Sequence, residues 1–378
     1  MGEFKLKDKT ILIFADEHWG EMLLSKHHYA INLAKMGNTV YFINPPENHS
    51  KKVSITTSKI TPYLHIIDSG IWNIQRFRFH SNIIFKLLIK LNLKRIKNSI
   101  KRHIDIVWNF GLIGYCDYSS YKNSLKIAHP VDFVPLANQY TVKGADIMFS
   151  VANEILTELK EYKIPSYFIN HSVNENLIET VSTKYKTTNK KNRLKTGYVG
   201  NLLRADIDHE IIIDLIKSNP DVDFIFIGNY TSSNIGGHLS KDTNTFIHQL
   251  KTLENAILKG VLTQTDLHLE ISTMDIFLIC YNKERDNCKG TNYHKIMEYI
   301  ATGKVIISNH VSTYKDSNLL EMCNSNHKMK ELFSTVKNDI SLYNSKDNQK
   351  KRIKFAKENT YTRNIIKIES IISKSISC

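Results

Sequence analysis

Lys295 and Glu298 stand three residues apart in the stretch GTNYHKIMEYIATGK, residues 290–304, so a helix there carries an ammonium and a carboxylate on one face. That combination can neutralise a diphosphate and accept hydrogen bonds from a ribose diol. Gly290 lets the backbone approach a ligand closely, and Thr291 or Asn292 can serve as N-cap or donate to a phosphate oxygen. A lysine in a first helical turn opposes the helix dipole by about 0.3–1 kcal/mol, and an anion bound there reverses that term. The competing reading is a surface Lys/Glu pair on an ordinary crossover helix.

A second concentration of functional types is KLLIKLNLKRIKNSIKRH, residues 86–103, which has seven cations and no acid. At helical spacing Lys86, Lys90, Lys94, Lys97 and Lys101 share one side, with Ile89, Leu93, Ile96 and Ile100 beside them. Lys90, Lys94, Lys97 and Lys101 suit an anionic membrane surface, and a solvated basic face over a core stripe is the alternative. Metal chemistry is not suggested. His27 and His28 are adjacent on an expected helix and point apart, and the five cysteines never approach C-x-x-C spacing.

These residues need elements to hold them, and apolar runs alternate with helical patterns twice along the chain. TILIFAD, TVYFINPPE, DIVWNFG, KIAHPV, DIMFSVAN and PSYFINHSVN read as strands of a first parallel sheet, with SKHHYAINLAKMG as its first crossover helix. Residues 180–193, TVSTKYKTTNKKNR, are polar, basic and without periodicity, as in a linker. The series restarts with KTGYVGNL, VDFIFIGNY, NAILKGVL, DIFLICY and VIISNH as strands, and HEIIIDLIKSNP and TQTDLHLEISTM as helices. After Tyr314 helices are expected to dominate. The expected architecture is two doubly wound α/β domains: 1–180, a linker at 181–195, 196–355, and a C-terminal helix at 356–378. In such sheets ligands bind beyond the carboxyl ends of the strands, where residues 288–292 lie.

The 378 residues carry 42% hydrophobic and 23% charged side chains, which fits an ordinary folded chain rather than a disordered one. The +14 formal charge favours polyanionic partners. Neither an RRM-type aromatic-basic motif nor zinc-finger spacing supports nucleic acid among them. No stretch reaches the roughly 20 apolar residues of a membrane span. MGEFKLKDKTILIF runs straight into a strand pattern, so a secretion signal is not expected, and the scattered cysteines fit a reducing cytoplasm.

The pattern Asn292, Lys295, Glu298, Tyr299, Ala301, Gly303 and Lys304 resembles the donor-site signature of GT-B glycosyltransferases of the family 1/family 4 type. The resemblance extends to GYVGNLLRADID, FIFIGNY, GVLTQTDLHLEISTMDIFLICY and HHYAINLAKMGNTVYFINPP, in the same order along the chain. It implies a GT-B fold, two Rossmann-like domains facing a cleft, and transfer of a sugar from a nucleoside diphosphate sugar without a metal or other cofactor. Glu298 would then bind the donor ribose, and Gly200, Gly290, Thr291, Asn292 and Lys295 would surround the diphosphate. The sequence also departs from the family. Eight positions before Glu298, where many relatives carry a first glutamate, stands Gly290. Asn201 replaces a common arginine, which leaves Arg204 as the nearest cation for two phosphate oxygens.

On the acceptor side ADEHWGEMLLSKHH follows the first strand, which places Asp16, Glu17 and His18 to contact a hydroxyl and Trp19 either to stack on a sugar ring or only to pack the loop. His129 and Asp132 follow another strand, and His171 stands where relatives often have Asn-Gly. Asp16, His129 and Asp132 are the catalytic candidates. The expected activity is retaining glycosyl transfer to a cell-surface polysaccharide or lipid-linked glycan, in the cytoplasm and peripheral to the membrane. Two alternatives remain: a nucleotide-sugar epimerase of the same fold, and a catalytically silent sugar-nucleotide-binding subunit.

Overall fold

The computed structural model describes residues 4–20, 23–184, 193–231, 240–282, 284–286 and 289–376, which form two α/β units. One is Met1–His171 together with Tyr361–Cys378, and the other is Ser172–Thr360.

In the first unit, near-continuous apolar runs form strands buried on both faces, the pattern of a parallel sheet covered by helices. Its strands are β1 (Thr10–Phe14), β2 (Thr39–Ile43), β3 (Lys51–Thr57), β4 (Leu64–Gly70), β5 (Ile106–Asn109), β6 (Leu125–Ala128), β7 (Ile147–Ser150) and β8 (Ser166–Phe168). They lie in the order β3-β4-β2-β1-β5-β6-β7-β8, parallel except for β3 against β4. The strand order therefore reverses between β1 and β5. The helices are α1 (Ser25–Lys35), α2 (Ile74–His80), α3 (Asn82–Ile100) and α4 (Asn153–Glu158). α3 buries Ile89, Leu93, Ile96 and Ile100, the stripe expected from its period, and also Phe85 one turn earlier.

The second unit holds α5 (Glu175–Lys184), β9 (Leu194–Val199), α6 (His209–Ser218), β10 (Val222–Ile227), α7 (Lys241–Thr252), β11 (Ala256–Gly260), α8 (Gln264–Ile271) and β12 (Ile276–Ile279). It continues through α9 (His294–Thr302), β13 (Val305–Asn309), β14 (Glu321–Cys323), α10 (Met329–Asn338), α11 (Ile340–Tyr343) and α12 (Lys346–Glu358). Its sheet is parallel throughout, in the order β11-β10-β9-β12-β13-β14, and reverses between β9 and β12. The last helix, α13 (Tyr361–Ile376), returns to the first unit and buries Tyr361, Ile365, Ile368 and Ile372 in its core. At about 1.5–3 kcal/mol for each fully buried large side chain, that stripe makes α13 part of the unit rather than a tail.

Several boundaries differ from those read in the sequence. α5 belongs to the second unit, because Leu177, Ile178 and Val181 join its core, so the division falls at His171 and not at 180. The segment expected as an interdomain linker joins α5 to β9 inside that unit, and its residues 185–192 lie outside those described. The β3–β4 pair was not expected: β3 is a mostly exposed edge strand and lacks the apolar run that marks a buried one. α7 and β14 also escaped the sequence reading.

Candidate functional site

The chemistry-bearing residues of the second unit gather where its strand order reverses, the position at which open α/β sheets bind ligands. β9 and β12 pair only through Thr196 and Gly197 and then part. Beyond that point the loop 200–208 and the segment after β12 are tied together. Asn282 N–H donates to Asp206 O at 2.7 Å, Asp208 N–H donates to Cys280 O at 3.0 Å, and Ile207 bridges Tyr281. Gly200 lies against the turn after β10, where a Cβ at Gly228 would stand 1.8 Å from Gly200 O; Gly228 also has φ +141°. No side chain fits there.

Tyr299 closes the gap that the parting strands leave. Val199 N–H donates to its hydroxyl at 2.8 Å, and the hydroxyl donates to Val199 O at 3.3 Å, while the ring stacks on Phe277 at 4.2 Å. The phenol thus occupies the place of a strand partner and pins α9 to the end of β9.

The loop leading into α9 is braced from within. Asp286, buried, accepts from Gly290 N–H at 2.7 Å and from the Tyr293 hydroxyl at 2.5 Å. Gly290 has φ +66°, and its carbonyl and that of Thr291 accept from Ser312 and Thr313 N–H. Thr291 and Asn292 are buried, and the N-cap position falls to Tyr293, two residues later than Thr291 and one later than Asn292, the two caps expected from the sequence. The Tyr293 ring lies 4.6 Å from that of Tyr281, and the Arg204 guanidinium sits over the Tyr281 ring at 5.2 Å. Arg204 therefore stands beside the N-terminus of α9. Both ends of its fork are held by the buried Asp206 carboxylate, one of them at 2.8 Å.

Lys295 Nζ lies 3.1 Å from each oxygen of Glu298, and His294 Nδ1 is 3.9 Å away. The Glu298 side chain is only 16% exposed. Burial pushes its carboxyl up, but Lys295, His294 and His268 together outweigh burial and hold it below the usual glutamate range. A surface pair at this spacing gives a helix only about 0.2–0.5 kcal/mol, whereas desolvating each ion costs several kcal/mol. The pair therefore offers little net stability in return for its desolvation, which marks Glu298 as a candidate binding group. Lys295 uses one acceptor direction on each oxygen, and the remaining lone pairs can receive a diol.

No protein-family model matches the sequence, and no curated protein is similar to it in sequence. Solved structures do match. Sucrose-phosphate synthase from Thermosynechococcus elongatus superposes with a TM-score of 0.70 at 10% identity, over 98% of this chain and 99% of that one. The trehalose-6-phosphate protein from E. coli bound with UDP-2-fluoro glucose gives 0.68 at 9% identity, over 97% and 99%. Anabaena HepE in complex with UDP and glucose gives 0.62 at 13% identity, over 97% and 99%. The chain has the GT-B fold.

In the first unit of this GT-B chain, Asp16 lies beyond β1, where that sheet's order reverses. One of its oxygens accepts from Leu112 N–H at 2.5 Å, and the other is buried without a hydrogen-bond partner among the described residues. Burial pushes its carboxyl up, with backbone donation from Leu112 opposing. Glu17 and His18 are exposed; Glu17 pairs with Lys26, and His18 O accepts from the His27 ring. Trp19 is half-buried and packs on His27 and Phe42 in T-shaped contacts at 5.3 and 5.1 Å.

The structure sets His129 away from any surface role. It is 1% exposed, stacked on Phe110 at 4.7 Å, and accepts from Trp108 Nε1 at 3.3 Å. Burial lowers its pKa to about 3, so it is a neutral core ring, and this corrects the expectation of a catalytic histidine. Asp132 is exposed in the following loop, and His171 is buried at the end of the unit. Lys90, Lys94, Lys97 and Lys101 are all exposed on or just beyond α3.

Three residues of the second-unit site were not anticipated: Asp206, Asp286 and His268. The first lies in ADID, the end of the stretch GYVGNLLRADID. His268, buried on α8, is lowered by its burial while Glu298 pulls its pKa the other way. Among the described residues no cluster of His, Cys, Asp or Glu is arranged to hold a metal ion.

Proposed function

We propose that the chain is a glycosyltransferase that takes its sugar from a nucleoside diphosphate sugar held by the second unit. The observation that carries this is the ionised, largely buried Glu298, clamped by Lys295 in the first turns of α9 at the reversal of the sheet. Glu298 receives the ribose diol. Lys295, the N-terminus of α9 and the loop 290–292 face the diphosphate, whose leaving charge they stabilise without a metal. Arg204 joins the diphosphate by exchanging part of its Asp206 fork for phosphate oxygens. Two of the similar structures contain UDP or a UDP-sugar, which makes uridine the first base to test.

We assign orientation of the acceptor hydroxyl to the first unit, with Asp16 as the principal group and Glu17, His18 and Asp132 as surface contacts. A carboxylate whose pKa is raised by burial is the better proton acceptor. The acceptor we infer is a glycan or lipid-linked saccharide at an anionic membrane surface, supported by the exposed lysines of α3, with transfer retaining configuration. Incubating the purified protein with UDP-sugars and scoring released UDP tests the reading, and product analysis separates transfer from epimerisation. A silent nucleotide-sugar-binding role is favoured by one observation, the closure of Arg204 on Asp206. Tight UDP binding without release or epimerisation of any donor would select it.

A further inference from the structure

The outward side of α3 is not merely charged. Opposite its buried stripe it exposes Ile83, Leu87 and Leu91, at 84%, 57% and 53%, and α2 adds Phe79 at 73%. Ile83, Leu87 and Leu91 are four residues apart and form one line along the helix. An ordinary amphipathic helix on a sheet keeps this side polar. Here the lysines interleave with the apolar line. Lys90 pairs with Asp117 at 3.6 Å and Lys86 sits over the Tyr140 ring at 4.2 Å. Among the described residues no carboxylate lies within ion-pair distance of Lys94, Lys97 or Lys101. Past the end of the helix the cations Lys97, Arg102 and Lys122 line a recess of about 370 Å³, together with His103 and several serines. No described helix is long and apolar enough to cross a membrane.

Nucleic acid would use the cations but leave the leucines between them in water. An anionic bilayer uses both, because its headgroups meet the lysines and its acyl region takes the apolar line. We propose that the outer face of α2–α3 is a docking wedge for an anionic bilayer, which inserts Phe79, Ile83, Leu87 and Leu91 while the lysines and the Lys97–Lys122 recess hold headgroup phosphates. This rests on the membrane-surface part of the reading above and adds insertion to it.

Co-sedimentation with phosphatidylcholine vesicles containing phosphatidylglycerol tests the wedge. Two sets of variants are compared with the wild type: a charge-neutral set, Phe79→Ser, Ile83→Ser, Leu87→Ser and Leu91→Ser, and a set with Lys90, Lys94, Lys97 and Lys101 each changed to Gln. Thermal melting checks that both sets are folded. The wild type is expected to bind at low salt and to retain part of its binding in molar salt, where charge attraction is screened. The serine set is expected to lose at least tenfold in partitioning despite its unchanged charge, and the glutamine set roughly fivefold per lysine. A serine set that binds like the wild type, or complete release by salt, overturns insertion and leaves a purely electrostatic surface. Failure of the wild type to bind overturns the membrane surface altogether, while calorimetry with UDP still reports on the donor site. A dimer that the serine set abolishes, with no vesicle binding, would assign the face to a second copy of the chain.

Discussion

Tyr299→Phe removes one oxygen and leaves the ring stack on Phe277 in place, so its effect isolates the hydroxyl that stands in for a strand partner of Val199. The Val199 N–H loses a 2.8 Å bond and its carbonyl a 3.3 Å bond, both in a buried setting. A buried donor left unpaired costs about 1–3 kcal/mol, and the longer bond adds at most about 1 kcal/mol. Loss of about 2–3 kcal/mol in urea melting of the full chain is the expected result, confined to the transition that reports the second unit. Because the same hydroxyl fixes α9 against the end of β9, affinity for a nucleoside diphosphate should fall as well. A variant within about 0.5 kcal/mol of wild type, the usual span of a neutral surface change, with unchanged nucleotide affinity would refute the role given to Tyr299.

Gly228→Ala should prevent the second unit from reaching its native state, because the added Cβ would overlap Gly200 O; recovery of soluble protein with wild-type melting would contradict the close approach described. Lys295→Ala should weaken UDP more than uridine, since only UDP carries the charge it neutralises; equal losses in calorimetry would move Lys295 out of the diphosphate site. Burial lowers His27 to about 4 and His129 to about 3, below the roughly 6.5 of an unfolded histidine. The unfolded chain therefore binds more protons below pH 6.5, so stability present above that pH is lost on acidification, by about 2 kcal/mol for each ring between pH 7 and pH 5. His129→Phe should remove roughly half of that acid loss in chemical denaturation, and an unaltered pH slope would count against a neutral buried imidazole.

The helix of Lys295 and Glu298 was legible because its information is local. Ile296, Met297 and Ile300 set the buried stripe, apolar runs flank it on both sides, and the polar first turn stands out against them. Most strands were legible for the same reason, since strands buried on both faces read as unbroken apolar runs. What the sequence concealed depends on distant partners. Nothing near Tyr299 indicates that its hydroxyl meets Val199, one hundred residues earlier. His129 looked catalytic from its position at a strand end, and it becomes core through distant rings: Trp108 on β5, Phe110 just after it, Phe149 on β7 and Tyr29 on α1. Arg204 read as a free cation because Asp206, two residues on, acquires its meaning only when burial forces it to find a partner. The edge strand β3 escaped because solvent, not a helix, covers most of it.

The most direct test of the donor site is calorimetric titration of UDP into the wild type and Glu298→Gln. The substitution keeps the shape and removes the charge, so a carboxylate that receives the ribose diol should lose about 1.5–3 kcal/mol, the contribution of a hydrogen bond to a charged group, or roughly ten- to 150-fold in affinity. The fold should be retained, with melting close to that of the wild type. UDP binding that is unchanged by the substitution, or absent from the wild type, would contradict the nucleotide role assigned to this face of α9.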